Sequence, residues 1–152
     1  MIEFENRIRI QKPADEVFPF AANPENYPAW NYFVTEVTPI SDGGFHEGAQ
    51  FHQQRKEDEQ VLEISALDPG ARVVIRTVPP TTPGLEREMH FTAHAGSTEI
   101  LDHWKLDLGL PALLEGLAGR RVKSAVRQIL GKLKILLEQG QVVLQDGRPS
   151  KM

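Results

Sequence analysis

Residues 110–140 read LPALLEGLAGRRVKSAVRQILGKLKILLEQG. Pro111 suits a first helical turn, because its φ is fixed near the helical value and its missing N–H would have no partner there. Gly140 suits the helix end, where glycine tolerates a left-handed backbone. Between them, apolar side chains recur at spacings of three and four: Leu113, Leu114, Leu117, Val122, Val126, Ile129, Leu133, Leu136 and Leu137. This pattern predicts a long amphipathic helix, which needs an extended apolar surface to lie on.

The segments before this helix predict such a surface. The first alternates apolar and charged residues, as a half-buried strand does, with Ile2, Phe4, Asn6, Ile8 and Ile10 on one face. Two short helices are predicted after it, and the alternation then resumes in further strands up to residue 108. The chain therefore predicts an α+β fold, in which a sheet of about seven antiparallel strands is covered by the long helix.

Turn residues join the later strands into three hairpins, centred on Glu57-Asp58, Pro69-Gly70 and Gly96-Ser97. Paired residues in a hairpin must present their side chains to the same face of the sheet. The predicted pairs are Phe51 with Ile64, Gln53 with Leu62, Ile64 with Ile75, Ala66 with Val73, Phe91 with Asp102, and Met89 with Trp104. All three hairpins then place their apolar residues on one face.

Composition restricts the class of function. The chain has 152 residues, a formal net charge of −4 and no cysteine. We therefore expect one domain over residues 1–140, no thiolate chemistry and no nucleic-acid binding. Neither a signal peptide nor a transmembrane segment is recognisable, so we expect a cytoplasmic protein without integral membrane association. The tail, residues 141–152, is expected to form a short edge strand or to pair with a second chain in a homodimer, and to end in disorder.

No metal or cofactor is expected. His90 and His94 would lie about 13 Å apart on a strand and cannot share an ion. His90 is predicted to face His103 on the outer side of the sheet, where no third ligand is close. Dinucleotide-binding, P-loop and nucleophile-elbow motifs are absent.

The segment IRIQKPADEVFPFAANPENYPAWNYFV, residues 8–34, resembles the start of the polyketide cyclase/dehydrase branch of the SRPBCC superfamily. The resemblance rests on Pro13, on Val17-Phe18, and on Asn23, Tyr27, Pro28 and Trp30. It implies the helix-grip (START-like) fold, in which a sheet wraps around a long C-terminal helix and leaves a cavity between them. It also implies binding of a small hydrophobic ligand, lipid-like or aromatic and polyketide-like, with lipid transport among the family's activities.

Carried onto this chain, the resemblance implies a ligand site between sheet and helix. Its residues would be Trp30, Phe51, Gln53, Leu62, Ile64, Ile75, Met89, Phe91, Trp104, Leu106, Val122, Val126 and Ile129, with Leu133 beside them. Any of these side chains could equally pack in a filled interior, since protein cores are usually close-packed.

Asp102 is the candidate catalytic residue, because its alternation with Ile100, Trp104 and Leu106 turns a carboxylate toward apolar groups. Burial would favour its protonated form unless a cation holds the charge, so it is a candidate acid or base, a ligand anchor or a structural ion-pair partner. The cyclases that the chain resembles carry an arginine on the fourth strand. Here residues 60–67 contain none, and Ser65 lies near the matching place, which weakens the prediction of a cyclase or dehydrase.

The long helix carries two further signals. Its early apolar face does not align with the later one, and Gly116 and Gly119 lie at the change, which predicts a bend or break with a cavity mouth near Glu115. Its other side is basic, with Arg120, Arg121, Lys123, Arg127, Lys132 and Lys134. That side fits a solvated surface, contact with anionic lipids, or a protein-interaction module with a filled interior.

Overall fold

The alternating segments form strands, as predicted, and the computed structural model describes all residues, 1–152. The strands are β1 (Ile2–Ile10), β2 (Val34–Pro39), β3 (Gln50–Arg55), β4 (Glu59–Asp68), β5 (Arg72–Thr77), β6 (Gly84–His94), β7 (Ser97–Asp107), β8 (Gln141–Val143) and β9 (Pro149–Lys151). The helices are α1 (Ala14–Ala21), a 3₁₀ helix (Pro24–Ala29) and α2 (Ala112–Gln139). Asn23 caps the 3₁₀ helix, because its Oδ1 accepts the backbone N–H of Glu25 at 3.1 Å.

Seven strands form one antiparallel sheet in the order β1-β7-β6-β5-β4-β3-β2. Their apolar residues face α2, α1 and the 3₁₀ helix, and together these elements enclose one core of buried side chains. This is the α+β helix-grip fold that the sequence predicted.

In the β3–β4 and β6–β7 hairpins, each side chain lies on the predicted face of the sheet, but the residue pairing is shifted by two positions. Phe51 pairs with Leu62 and Gln53 with Gln60, because Arg55 and Asp58 close the first turn one position earlier than predicted. In the third hairpin, Phe91 pairs with Ile100, Met89 with Asp102 and Arg87 with Trp104. There Gly96, with φ of 75°, takes the second central position of the turn rather than the first. The shift is even, so every inward residue stays inward.

For the middle hairpin, one of the two predicted residue pairs is correct and the other is wrong. Ile64 pairs with Ile75 as predicted, whereas Ala66 pairs with Val74 and not with Val73. A β-bulge between Ile64 and Ala66 inserts one extra residue into β4.

Of the predicted bend or break in the long helix, the break is wrong, since α2 runs without interruption over 28 residues. Gly119 serves close packing instead: a Cβ at this position would lie 3.1 Å from Cγ2 of Ile2. The early apolar face of the helix, with Leu113, Leu114 and Leu117, is exposed. Glu115 lies outside the cavity and accepts a hydrogen bond from the N-terminal amine at 2.6 Å.

The tail is ordered and pairs with itself, not with the edge of the main sheet. β8 and β9 form a separate two-stranded sheet. Val142 and Leu144 are buried in the core, and Arg148 donates from Nη2 to the carbonyl of Pro28 at 2.8 Å. Apolar burial therefore fixes the segment that was expected to end in disorder.

Candidate functional site

A cavity of about 360 Å³ lies between the sheet and the middle of α2. Strands β3 to β7 form one side, and α2 forms the other. Its wall consists of Tyr27, Asn31, Phe33, Val34, Gln53, Arg55, Gln60, Leu62, Ile75, Pro83, Leu85, Arg87, Trp104, Leu106, Leu108, Arg121, Val122, Ala125, Val126 and Ile129. Most of these side chains are apolar, so the few polar groups determine what else the cavity accepts.

A buried ion pair lies at one side of this cavity. Arg87 donates from Nε to Oδ1 of Asp102 at 2.8 Å and from Nη2 to Oδ2 at 2.7 Å. Trp104 donates from Nε1 to the same Oδ2 at 3.0 Å. Burial opposes the charge on Arg87, but the Asp102 carboxylate outweighs burial and raises the pKa of Arg87 above its ordinary value. Arg87 forms part of the cavity wall, whereas Asp102 does not.

Three aromatic rings surround the Arg87 guanidinium. Its Cζ lies 4.9 Å from the ring centre of Trp104, 5.6 Å from that of Trp30 and 5.9 Å from that of Tyr27. These distances lie within the range of cation–π attraction. The rings take the place of water around the charge, so the guanidinium is held from both the carboxylate side and the aromatic side.

Two polar atoms beside this cluster have no hydrogen-bond partner. They are the hydroxyl of Tyr27 and Nε1 of Trp30, both buried and without a partner in hydrogen-bond geometry, although the Tyr27 oxygen lies close enough to the Arg87 guanidinium for that group to lower the Tyr27 pKa. Burial raises the pKa of Tyr27 to about 12 against the opposing charge of Arg87, with Asp102 adding to the rise. The phenol is therefore neutral and able to donate a hydrogen bond at physiological pH, and Tyr27 is part of the cavity wall.

A pair of amides lies elsewhere in the wall. Gln53 donates from Nε2 to Oε1 of Gln60 at 3.0 Å, and both side chains are buried. Each amide keeps one free group, a carbonyl on Gln53 and an NH₂ on Gln60. Asn6, the other inward amide, has a structural contact instead, because its Nδ2 donates to the carbonyl of Lys123 at 3.2 Å.

The predicted ligand residues divide into two groups. Those in the cavity wall are Gln53, Leu62, Ile75, Trp104, Leu106, Val122, Val126 and Ile129. Those packed into the core outside the wall are Trp30, Phe51, Ile64, Met89 and Phe91, together with Leu133. The second group belongs to the buried core that also contains residues of α1 and of the C-terminal part of α2; the ring of Phe18 on α1, for example, lies 4.9 Å from that of Phe91.

Six wall residues that carry polar side-chain atoms were not among the ligand residues predicted from the sequence: Tyr27, Asn31, Arg55, Gln60, Arg87 and Arg121. Tyr27 was assigned only to the family resemblance, and Gln60 lay outside the predicted pairing of its hairpin. Arg87 follows the alternation Leu85, Arg87, Met89, Phe91, so its inward direction was readable from parity alone. An arginine that alternates with inward-facing apolar residues indicates a buried cation, and this feature of the sequence was not used.

The histidines predicted to face each other do not pair. His90 lies opposite Leu101, and His103 lies opposite Glu88. Their ring nitrogens contact carboxylates instead, His90 that of Glu88 at 2.7 Å and His103 that of Glu3 at 3.0 Å. No cluster of three His, Cys, Asp or Glu side chains with metal-ligand geometry is present.

Comparison with known families gives one match. The sequence profile of the family described as polyketide cyclase / dehydrase and lipid transport matches residues 1–138. No curated protein sequence matches the chain. No helix is long and apolar enough to cross a membrane.

Solved structures share the fold at low sequence identity. The di-domain ARO/CYC BexL from the BE-7585A biosynthetic pathway aligns with a TM-score of 0.71 and 20% identity, over 88% of this chain and 45% of that one. DynU16, from the dynemicin biosynthetic locus, aligns with a TM-score of 0.70 and 18% identity, over 92% and 48%. The chain thus spans about half the length of both. DR_A0006 from Deinococcus radiodurans aligns with a TM-score of 0.65 and 17% identity, over 91% and 98%.

Proposed function

The chain belongs to the polyketide cyclase/dehydrase and lipid transport family, and from this membership we propose that it binds a small apolar ligand in the cavity between sheet and α2. The ligand class is lipid-like or ring-containing, as in aromatic polyketides. The cavity volume of about 360 Å³ lies within the range of ligand pockets. The apolar wall supplies affinity through burial of the ligand's hydrocarbon surface.

The observation that carries the proposal is a mainly apolar cavity wall that also holds Arg87 and Tyr27, whose hydroxyl has no acceptor for its proton. A buried donor without a partner costs about 1–3 kcal/mol, which a ligand oxygen placed against it would recover. Arg87 lies beside it with its Nη1 group free of hydrogen bonds. A ligand oxygen at this place would accept from both side chains while the rest of the ligand fills the apolar space.

The charge of the cluster favours a neutral oxygen. Asp102 already balances the charge of Arg87 through two hydrogen bonds. A ligand carboxylate at the same place would add a second buried negative charge, which lacks a cation and is costly to desolvate. We therefore propose a ketone, an ester or a phenol as the group that meets Tyr27.

The alternative activity, cyclase or dehydrase chemistry with Asp102 as acid or base, has less support. Both oxygens of Asp102 are engaged by Arg87 and Trp104, and the residue is outside the cavity wall. A proton would have to leave an ion pair to be exchanged with a ligand. Asp102 fits better as the residue that positions Arg87.

The test is a binding panel of fatty acids, sterols and aromatic polyketides, measured by thermal shift and by native mass spectrometry of the purified protein. At a ligand concentration about 100-fold above Kd, binding adds about 2.7 kcal/mol of stability. We expect a shift with at least one class that carries a neutral oxygen. The absence of any shift and of any co-purifying ligand would contradict the proposal.

The Tyr27→Phe variant locates the contact. Loss of one hydrogen bond to the ligand weakens binding by about tenfold, and Tyr32→Phe, which leaves the cavity wall unchanged, should bind normally. A Tyr27→Phe variant that binds as tightly as the unmodified protein would remove Tyr27 from the ligand site and leave the binding proposal to the panel.

A further inference from the structure

Three leucines in the first turns of α2 and one just before the helix are exposed, and they are named here the leucine patch: Leu113, Leu114 and Leu117, with Leu110. Their exposed fractions are 94%, 51%, 55% and 36% respectively. Single exposed leucines are ordinary, but neighbours on consecutive turns of one helix form a continuous apolar surface. The sequence showed that this early apolar face does not align with the later face of the helix, and nothing within the chain covers it.

Four cations follow the leucine patch on the same helix and are named here the basic ridge: Arg120, Arg121, Lys123 and Arg127. All four are exposed and none forms an ion pair. Of the acidic residues on α2, Glu115 is held by the N-terminal amine and Glu138 by Lys134. The helix therefore presents four cations without an ion pair in a chain whose net charge is −4, with Glu3 and Glu5 of β1 the acidic side chains that share a surface pocket with Arg120 and Lys123.

A second copy of this chain is a poor occupant of the patch. The commonest dimers are twofold symmetric, so the same surface of each copy faces its equivalent. Two leucine patches could meet in this way, but such a contact is apolar on both sides and gives the four cations of the basic ridge no negative partner.

An anionic lipid surface fits both features at once. An amphipathic helix with leucines beside arginines and lysines lies in the headgroup region, where the apolar side chains insert and the cations meet lipid phosphates. We propose that the start of α2 docks on anionic membranes, with the leucine patch inserted and the basic ridge against the headgroups. This inference goes beyond the proposed function, since it concerns the outer surface of the helix.

The patch adjoins the cavity. Leu114 and Leu117 precede Arg121 by seven and four residues, so the three side chains share one side of α2, and Arg121 is a wall residue. Leu108, two residues before Leu110, is also in the wall. Docking therefore brings one edge of the cavity to the lipid surface, where an apolar ligand can exchange without crossing water.

Vesicle co-sedimentation tests the inference directly. The full chain should bind vesicles of phosphatidylcholine mixed with phosphatidylglycerol, bind pure phosphatidylcholine weakly, and dissociate as salt screens the charges. The double variant Leu113→Ser/Leu117→Ser should lose affinity by about tenfold or more, because two exposed apolar side chains no longer insert. Arg120→Gln/Lys123→Gln should lose a similar factor, since each cation near an anionic surface contributes about fivefold.

The matched control is Ile40→Ser, which removes an exposed apolar side chain outside α2 (55% exposed) and should leave vesicle binding unchanged. Absence of binding to the mixed vesicles, or equal loss in the control, would overturn the inference. So would a dimer, detected by light scattering, that the leucine variant converts to a monomer, because the patch then belongs to a second copy. None of these outcomes bears on the ligand panel, which is measured without lipid.

Discussion

The interior beneath the sheet has two halves, and the same strands line both. In the filled half, Phe51, Ile64, Val73, Met89, Phe91 and Ile100 pack against α1 and the C-terminal part of α2. In the open half, Gln53, Leu62, Ile75, Arg87, Trp104 and Leu106 face the cavity. Alternation along a strand decides the face of the sheet, whereas position along the strand decides which half a residue enters. What differs is the cover, since α1 closes over only one end.

Asp102 lies where β7 crosses from the filled half to the open half, and its substitution has the largest expected effect. Asp102→Asn leaves the Arg87 charge buried without its counter-ion, which costs about 3–5 kcal/mol of unfolding free energy. Urea denaturation measures the loss. The exposed pair Arg7–Glu99 offers a control, because Glu99→Gln should cost about 0.2–1 kcal/mol.

The double variant Arg87→Met/Asp102→Leu tests whether the loss of stability comes from the unpaired Arg87 charge. Replacing both charges by apolar side chains should restore much of the stability, since buried pairs contribute little net energy. A single Asp102→Asn variant as stable as the unmodified protein would show that water already reaches the guanidinium from the cavity.

A pair of neighbouring residues on α2 compares the two halves. Leu133 lies in the filled half and Ile129, one turn earlier, in the cavity wall, and both are buried. Leu133→Ala should cost about 3–4 kcal/mol of unfolding free energy, because it opens a new void in packed surroundings. Ile129→Ala should cost about 2 kcal/mol, since its side chain already lacks neighbours on one side. Equal losses in denaturant unfolding would mean that the open half is as closely packed as the filled half.

The fold, and the face of the sheet on which each side chain lies, were predictable from the sequence. Whether an apolar residue is exposed, lines the cavity or packs in the core was not predictable, and neither were its contacts. The alternation around Asp102 gave its inward direction, and the two-residue shift of the hairpins did not disturb it. The shift did hide its neighbours, because Arg87 pairs with Trp104 only once the turn is centred on Ala95-Gly96. Helical periodicity located an apolar face at Leu113 but could not distinguish an exposed face from a buried one. Cavity walls and filled core share one pattern, so Phe51 and Gln53 looked alike.

The pKa of the Tyr27 phenol indicates whether water fills the open half, and its effect on stability is smaller than those of the substitutions above. In a Tyr32→Phe background, Tyr27 is the one remaining tyrosine. Its pKa of about 12 in the folded chain lies above the unfolded value of about 10. The unfolded state therefore loses its proton first, and stability is unaffected below about pH 10 and falls as pH rises toward 12. Phenolate absorbance of the folded protein should rise only near the upper value; a midpoint near 10 would mean that the cavity is wet.

The most direct test of the account fills the open half. Ala125 lies in the cavity wall, and Ala125→Trp would place an indole in the space proposed for the ligand. The readout is fluorescence of the neutral apolar probe N-phenyl-1-naphthylamine, with Gln128→Trp, on an exposed position of the same helix, as control. The account predicts that the unmodified chain and the control bind the probe, and that Ala125→Trp remains folded but does not. Undiminished probe binding by folded Ala125→Trp would contradict it.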